Sequence, residues 1–270
     1  MGSAPPRARR RGEGPAPLLA AAVALLATAF YALPLIGLAL RAPWAEAATR
    51  IARPEVLGAL RLSIVVSTSA LALSLVFGAP LAWVLARARF PGHRVVRGIV
   101  VLPMVLPPVV AGVGLLTALG RRGIVGGFLL HAGISLPFTT AAAALAAAFV
   151  ASPFMVVTLE AAFRSVDTRL EGAAATLGAS RLRILRTVTL PAVRPSLAAG
   201  STLCWARALG EFGATIIFAG NLAGRTQTGP LAIYQQLQTG DFDGAILMSL
   251  VLFAVSLTVV TGLRTRVSMQ

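Results

Sequence analysis

An all-helical chain that crosses a membrane about six times follows from three features of the sequence. Hydrophobic residues fill 57% of its 270 positions and charged residues only 12%, whereas soluble domains carry about 25% charge. Several uncharged apolar runs exceed the roughly 18 residues that mark a membrane helix. The charges that remain gather between those runs.

Residues 1–17, MGSAPPRARRRGEGPAP, are rich in Pro, Gly and Arg and predict a disordered cytoplasmic tail. The uncharged run Leu18 to Leu40 predicts the first span; a processed leader is the alternative for a basic start followed by an apolar run. Residues 41–61, with Trp44, Pro43, Pro54 and mixed charges, read as an external loop with a short surface helix. Leu62 to Ala86 is the second span, with Trp83 near its interfacial end, and RARFPGHRVVR closes it. The third, Gly98 to Leu119, contains LPMVLPPVVAG; its prolines predict a kink or break, whether for packing, as a helix boundary or to line a pathway.

GRRGIVG predicts an external turn, and the uncharged run 124–159 is too long for one crossing, which places the Ala-rich fourth span at Pro137 to Thr158. The fifth runs from about Leu197 to Phe218 and the sixth from Gly244 to Leu263, with a loop and partly buried hairpin between them. All 24 basic residues are Arg. With both termini inside, 16 of them face the cytoplasm and 7 face outward, and the positive-inside bias selects this topology. Their position between spans points to lipid head groups, not to nucleic acid, as partners. One Cys and two His exclude the usual all-protein His/Cys metal site.

The topology leaves a charged segment of about residues 167–191 in the cytoplasm. Asp167 opens a helix through LEGAAATL, Gly178 turns the chain, and Ser180 caps a second helix. Leu182, Leu185 and Val188 form its apolar side, and Arg181, Arg183 and Arg186 share the rest. Pro191 and Pro195 bracket the return to the membrane. Such a knob either lies on lipid with its Arg side chains snorkelling or docks against protein; the smooth Ala-rich first helix favours docking.

That segment resembles the cytoplasmic "EAA" motif of permease subunits of ATP-binding-cassette importers, carried here by Glu171, Ala173, Ala174, Gly178, Leu190 and Pro191. Glu171 stands seven residues before Gly178, one more than the common form. RRGIVG, FTTAAAALAAAFVASPF and ARALGEFGATIIFAGNLAGRTQTGPLAIY are similar to the molybdate, tungstate and sulfate permease group, and the likeness spans about residues 57–263.

The resemblance implies a type I importer permease fold in the bacterial inner membrane. It implies partnership with ABC ATPase subunits, a second permease copy in a homodimer, and an extracytoplasmic oxyanion-binding protein. It implies that Glu171, Ala173, Ala174, Gly178, Ala179, Arg181, Arg183, Leu190 and Pro191 couple to the ATPase. No GxxxxGK[ST] loop is present, so ATP is used by the partner and no cofactor is expected on this chain.

In the fifth span Arg207 and Glu211, four residues apart, form either a structural ion pair or part of the pathway or gate. Gly210 and Gly213 would let another helix approach. Thr139, Ser152, Thr215 and Asn221 are further pathway or gate candidates, as are Thr140, Thr226 and Thr228, against the ordinary use of such hydroxyls within their own helix. His131 reads as a satisfied interfacial group, and Asp241 and Asp243 as loop residues available to a binding protein. The competing function class is a secondary anion transporter without an ATPase, which would need coupling charges within its spans.

Overall fold

The computed structural model describes residues 15–267, with side chains over 18–262. Its described residues are all helix and loop. They divide into two units, residues 1–42 and 43–270. The first unit is one helix, α1 (Pro15–Arg41), with Pro34 inside it. It starts three residues earlier than expected, and residues 1–14 of the expected tail lie outside the described residues.

The second unit opens with a 3-10 turn (Trp44–Glu46) and the short α2 (Ala47–Ile51). α3 (Pro54–Leu73), a π turn (Ser74–Gly78) and α4 (Ala79–Arg87) then run on without a gap. Pro54 suits the first helical turn, where no partner for its missing N–H is needed. α5 (His93–Val101) and α6 (Pro108–Leu119) follow, with a 3-10 turn (Leu102–Met104) between them. The α5 and α6 arms meet at 118°. Pro103, Pro107 and Pro108 lie in this bend, where missing N–H groups prevent a continuous helix.

After α7 (Gly126–His131), α8 (Thr140–Ser165) forms the centre of the unit. Thr139 caps it, its hydroxyl accepting the Ala142 N–H at 3.1 Å. Ala142, Ala143, Ala146, Ala147 and Ala151 are fully buried along it. These small residues let α3, α4 and α11 approach α8 closely. Gly200 of α11 illustrates the fit: a β-carbon there would lie 3.3 Å from Thr158 Cβ and 3.4 Å from Met155 Sδ.

The segment beyond α8 contains α9 (Thr168–Thr176) and α10 (Arg181–Ile184), then a π turn (Leu185–Thr189) leading straight into α11 (Leu190–Leu209). α12 (Gly213–Phe218), α13 (Gly229–Gln238) and α14 (Phe242–Val267) complete the described chain. Both π turns end two residues before a proline, Pro80 and Pro191. A π turn there absorbs the hydrogen bond that the proline cannot make.

Six uniform spans are not what the chain forms. Four helices are long and apolar enough to cross a membrane, or five if the bent α5–α6 pair is one span. Prolines split the expected third span. The expected fifth span is interrupted at Gly210–Glu211–Phe212, between α11 and α12. Pro191 and Pro195 also fail to separate the second knob helix from the membrane, because the helical path is unbroken from Arg181 to Leu209.

Candidate functional site

The segment 167–191 folds as the local signals dictate. Asp167 accepts the Arg169 N–H at 2.9 Å and starts α9. Gly178 ends it at φ +81°, a left-handed conformation that favours glycine. The Ala179 N–H reaches the Ala174 carbonyl and the Gly178 N–H the Ala175 carbonyl, each at 3.0 Å; this double closure is the Schellman pattern. Ser180 accepts the Arg183 N–H at 3.4 Å and opens α10. Two helices and a glycine thus make an elbow.

What the elbow presents and what holds it are different residues. Leu177 is 88% exposed at its tip, and Leu170 and Leu182 are also exposed. Ala173, Gly178, Arg181 and Arg183 share that outer surface, Leu190 is exposed, and Ala174 and Ala179 are half-buried. Glu171 points inward. Its Oε1 accepts from Arg87 Nη2 at 2.9 Å and from the Thr189 hydroxyl at 2.8 Å. One carboxylate therefore joins α9 to the end of α4 and to the π turn before α11. Arg87 Nε is buried without a partner.

A second carboxylate fastens the neighbouring helix ends. Glu160, buried at the foot of α8, lies 3.1 Å from Arg97 of α5 and 2.6 Å from Arg164. Arg164 also donates to the Leu85 carbonyl at 3.3 Å, and a His93 ring nitrogen sits 2.8 Å from the same oxygen. The ends of α4, α5, α8 and α9 are thus tied by side chains from each.

The fifth-span break carries the other Glu–Arg pair. Arg207 Nη2 lies 2.7 Å from Glu211 Oε2, and Glu211 is almost fully buried. The guanidinium sits off the hydrogen-bonding direction of that oxygen, so the contact is one of charge. Glu211 Oε1 accepts the Ala214 N–H at 2.8 Å, which satisfies the first turn of α12. Thr215 is buried beside it, its hydroxyl without a hydrogen-bond partner. α12 packs on α6 through glycines: a β-carbon at Gly213 would stand 2.7 Å from Pro108 Cβ, and one at Gly112 2.8 Å from Ile217 Cβ. Gly210 makes no such approach; the nearest atom to a β-carbon there would be the Ala206 carbonyl oxygen at 3.9 Å.

The remaining pathway candidates do not join this pair. Thr139 is occupied as the cap of α8 and donates to the Leu136 carbonyl at 2.6 Å. Ser152 lines a separate apolar cavity of about 400 Å³ between the first π turn, the α5–α6 bend and α8. Asn221 belongs to the loop after α12 and donates to Gln235 Oε1 at 3.3 Å. Thr140 donates to the Arg225 carbonyl and Thr226 to the Gly220 carbonyl, fastening that loop; Thr228 is buried without a partner for its hydroxyl. His131 is hydrogen-bonded to the Gly127 carbonyl of its own helix. Asp241 and Asp243, expected as loose loop residues, are held by Arg50 at 3.0 and 3.7 Å. Arg50 also meets Glu46 at 2.7 Å, and that hydrogen bond is the largest cause raising its pKa.

A family model described as "Binding-protein-dependent transport system inner membrane component" matches residues 74–268. The chain belongs to this family. It is 44% identical to the molybdenum transport system permease protein ModB of Mycobacterium tuberculosis over 243 residues, 90% of this chain and 92% of that one. The Escherichia coli K12 protein of the same name is 44% identical over 201 residues, 74% of this chain and 88% of that one. A sulfate transport system permease protein, CysT of Salmonella typhimurium, is 36% identical over 82% of this chain and 80% of its own. The crystal structure of a bacterial ABC transporter that imports alginate shares the fold, with a TM-score of 0.70 at 21% identity over 93% of this chain and 96% of that one.

The family match takes in the elbow, both tied helix ends and the broken fifth span of this permease. Sequence reasoning missed Arg87, Thr189, Arg97, Glu160, Arg164 and His93 as parts of that apparatus. Glu160 and Arg164, four apart at a span end, carried a local signal. Arg87 carried none, because its partner lies 84 residues away.

Proposed function

We propose that this chain is the membrane subunit of an ATP-binding-cassette importer, and that it passes molybdate across the inner membrane of a bacterium. It is not an enzyme; a separate ATPase subunit hydrolyses the ATP. Likeness to molybdenum permeases across nine-tenths of the chain carries this reading. Likeness to sulfate permeases supports sulfate as the second substrate reading.

The elbow is the coupling segment. Its exposed Leu170, Leu177 and Leu182 offer the ATPase an apolar knob. The helical path from Arg181 to Leu209 is a lever of roughly 40 Å at 1.5 Å per residue, so a push at the elbow reaches the fifth-span break without crossing a flexible joint. Glu171 transfers the same push to α4 through Arg87. Both termini and the elbow are cytoplasmic. Two copies of the chain frame the pathway, each with its own elbow for one ATPase chain, and an extracytoplasmic binding protein delivers the anion.

Reconstitution with the ATPase and binding protein tests this. Molybdate uptake into proteoliposomes should require ATP and the binding protein, and excess tungstate should compete more strongly than sulfate. Uptake by the permease alone, without ATP, would instead identify a secondary transporter.

A further inference from the structure

The chain contains one asparagine and five glutamines. Four of these six carboxamides, Asn221, Gln227, Gln235 and Gln236, line a single cavity of about 430 Å³. Val56 of α3 and Met248 of α14 form part of its wall. The cavity lies at the Pro54 end of the α3–α4 path, opposite the Arg87 end that holds the elbow. In a chain this poor in amides, such convergence marks a place built for hydrogen bonding.

These amides have capacity to spare. Asn221 Oδ1 and Gln236 Oε1 are buried without partners, a state that persists in folded proteins where water or a ligand completes the bonds. A carboxamide offers an acceptor on one side and two donors on the other, and turning it over exchanges them. The cavity is also anchored. Thr226 accepts the Leu222 N–H at 2.9 Å and donates to the Gly220 carbonyl at 3.1 Å, and so fixes the loop that carries Asn221. Tyr234, beside Gln235 on α13, packs on Phe212 in the fifth-span break with ring centres 5.2 Å apart.

We propose that these four carboxamides form an entry vestibule in which a partly hydrated tetrahedral oxyanion dianion waits before the broken fifth span. The volume admits the anion with part of its hydration shell, since each water occupies about 30 Å³. Neutral donors can bond several oxygens of a dianion without setting a deep electrostatic trap, which is what passage requires. Glu55, exposed at the cavity edge, weakens the site further by like-charge repulsion and favours onward release.

The proposal rests on the importer reading, and the test separates the two. Binding of radiolabelled molybdate to the purified permease–ATPase complex, without binding protein, is measured by scintillation proximity. Millimolar affinity is expected, about threefold tighter for Glu55→Gln and at least tenfold weaker for the nearly isosteric Gln235→Glu. Unchanged binding in Gln235→Glu, or weaker binding in Glu55→Gln, overturns the vestibule; the latter result would point to a donor-bearing partner such as a peptide. Gln227→Leu, on the loop, gives an independent loss-of-donor variant, and affinity equal to that of the parent complex would also overturn it. ATP- and binding-protein-driven uptake by the same unsubstituted preparation tests the importer reading separately.

Discussion

Two glutamates, each held by one arginine at similar distance, do opposite work in this molecule. Glu211 and Arg207 are four residues apart on one helix, 2.7 Å from each other, with Glu211 buried. Glu171 and Arg87 are 84 residues apart, 2.9 Å from each other, and both partly exposed. The first pair ends a helix inside the membrane region and starts another. The second spans a gap between the elbow and α4. A short-range pair shapes a path, whereas a long-range pair joins parts that move; sequence separation and burial distinguish the two roles where distance does not.

Glu211→Ala should have the largest effect. It strands a guanidinium beside a buried break and removes the acceptor of the Ala214 N–H, so the loss should be about 3–5 kcal/mol. Thermal unfolding of the detergent-solubilised complex measures this, and an unchanged Tm would break the comparison. Arg207→Met combined with Glu211→Met should recover part of the loss, because no unpaired charge remains.

Gly178→Ala comes next. No atom lies within 4 Å of the added β-carbon, but the φ of +81° remains, so the cost is backbone strain of about 1–2 kcal/mol. The elbow should loosen while the rest of the unit holds, which hydrogen exchange at Leu177 to Arg183 would report. Glu171→Gln should change stability by less than about 1 kcal/mol, as partly exposed pairs do. It should leave ATPase copurification intact, because the knob that docks is formed by Leu170, Leu177 and Leu182. Loss of ATPase binding in that variant would move Glu171 from brace to contact. The smallest effect belongs to Glu46→Gln, which leaves Arg50 its bonds to Asp241 and Asp243; a Tm shift equivalent to at most about 0.5 kcal/mol is expected.

What was legible in the sequence was local. Asp167, Gly178 and Ser180 act on backbone groups within a few residues, and each does what its chemistry predicts. The Ala-rich span was readable because small side chains declare close packing wherever they lie. The count of spans was not, since hydropathy treats 197–218 as continuous while Glu211 caps a new helix there. The brace and the amide cavity were hidden for another reason. Their members come from segments far apart in sequence, and only the fold brings Arg87 to Glu171 or Gln236 near Asn221.

The coupling role of the elbow is tested most directly by exchanging the two charges of its brace. Molybdate taken up per ATP hydrolysed is measured in proteoliposomes carrying the complete transporter and its binding protein. Glu171→Gln should lower that ratio about tenfold, a loss of roughly 1.4 kcal/mol in coupling, and Glu171→Arg with Arg87→Glu should restore most of it. Normal coupling in Glu171→Gln, or no recovery on charge exchange in a complex that still binds its ATPase, would contradict the account.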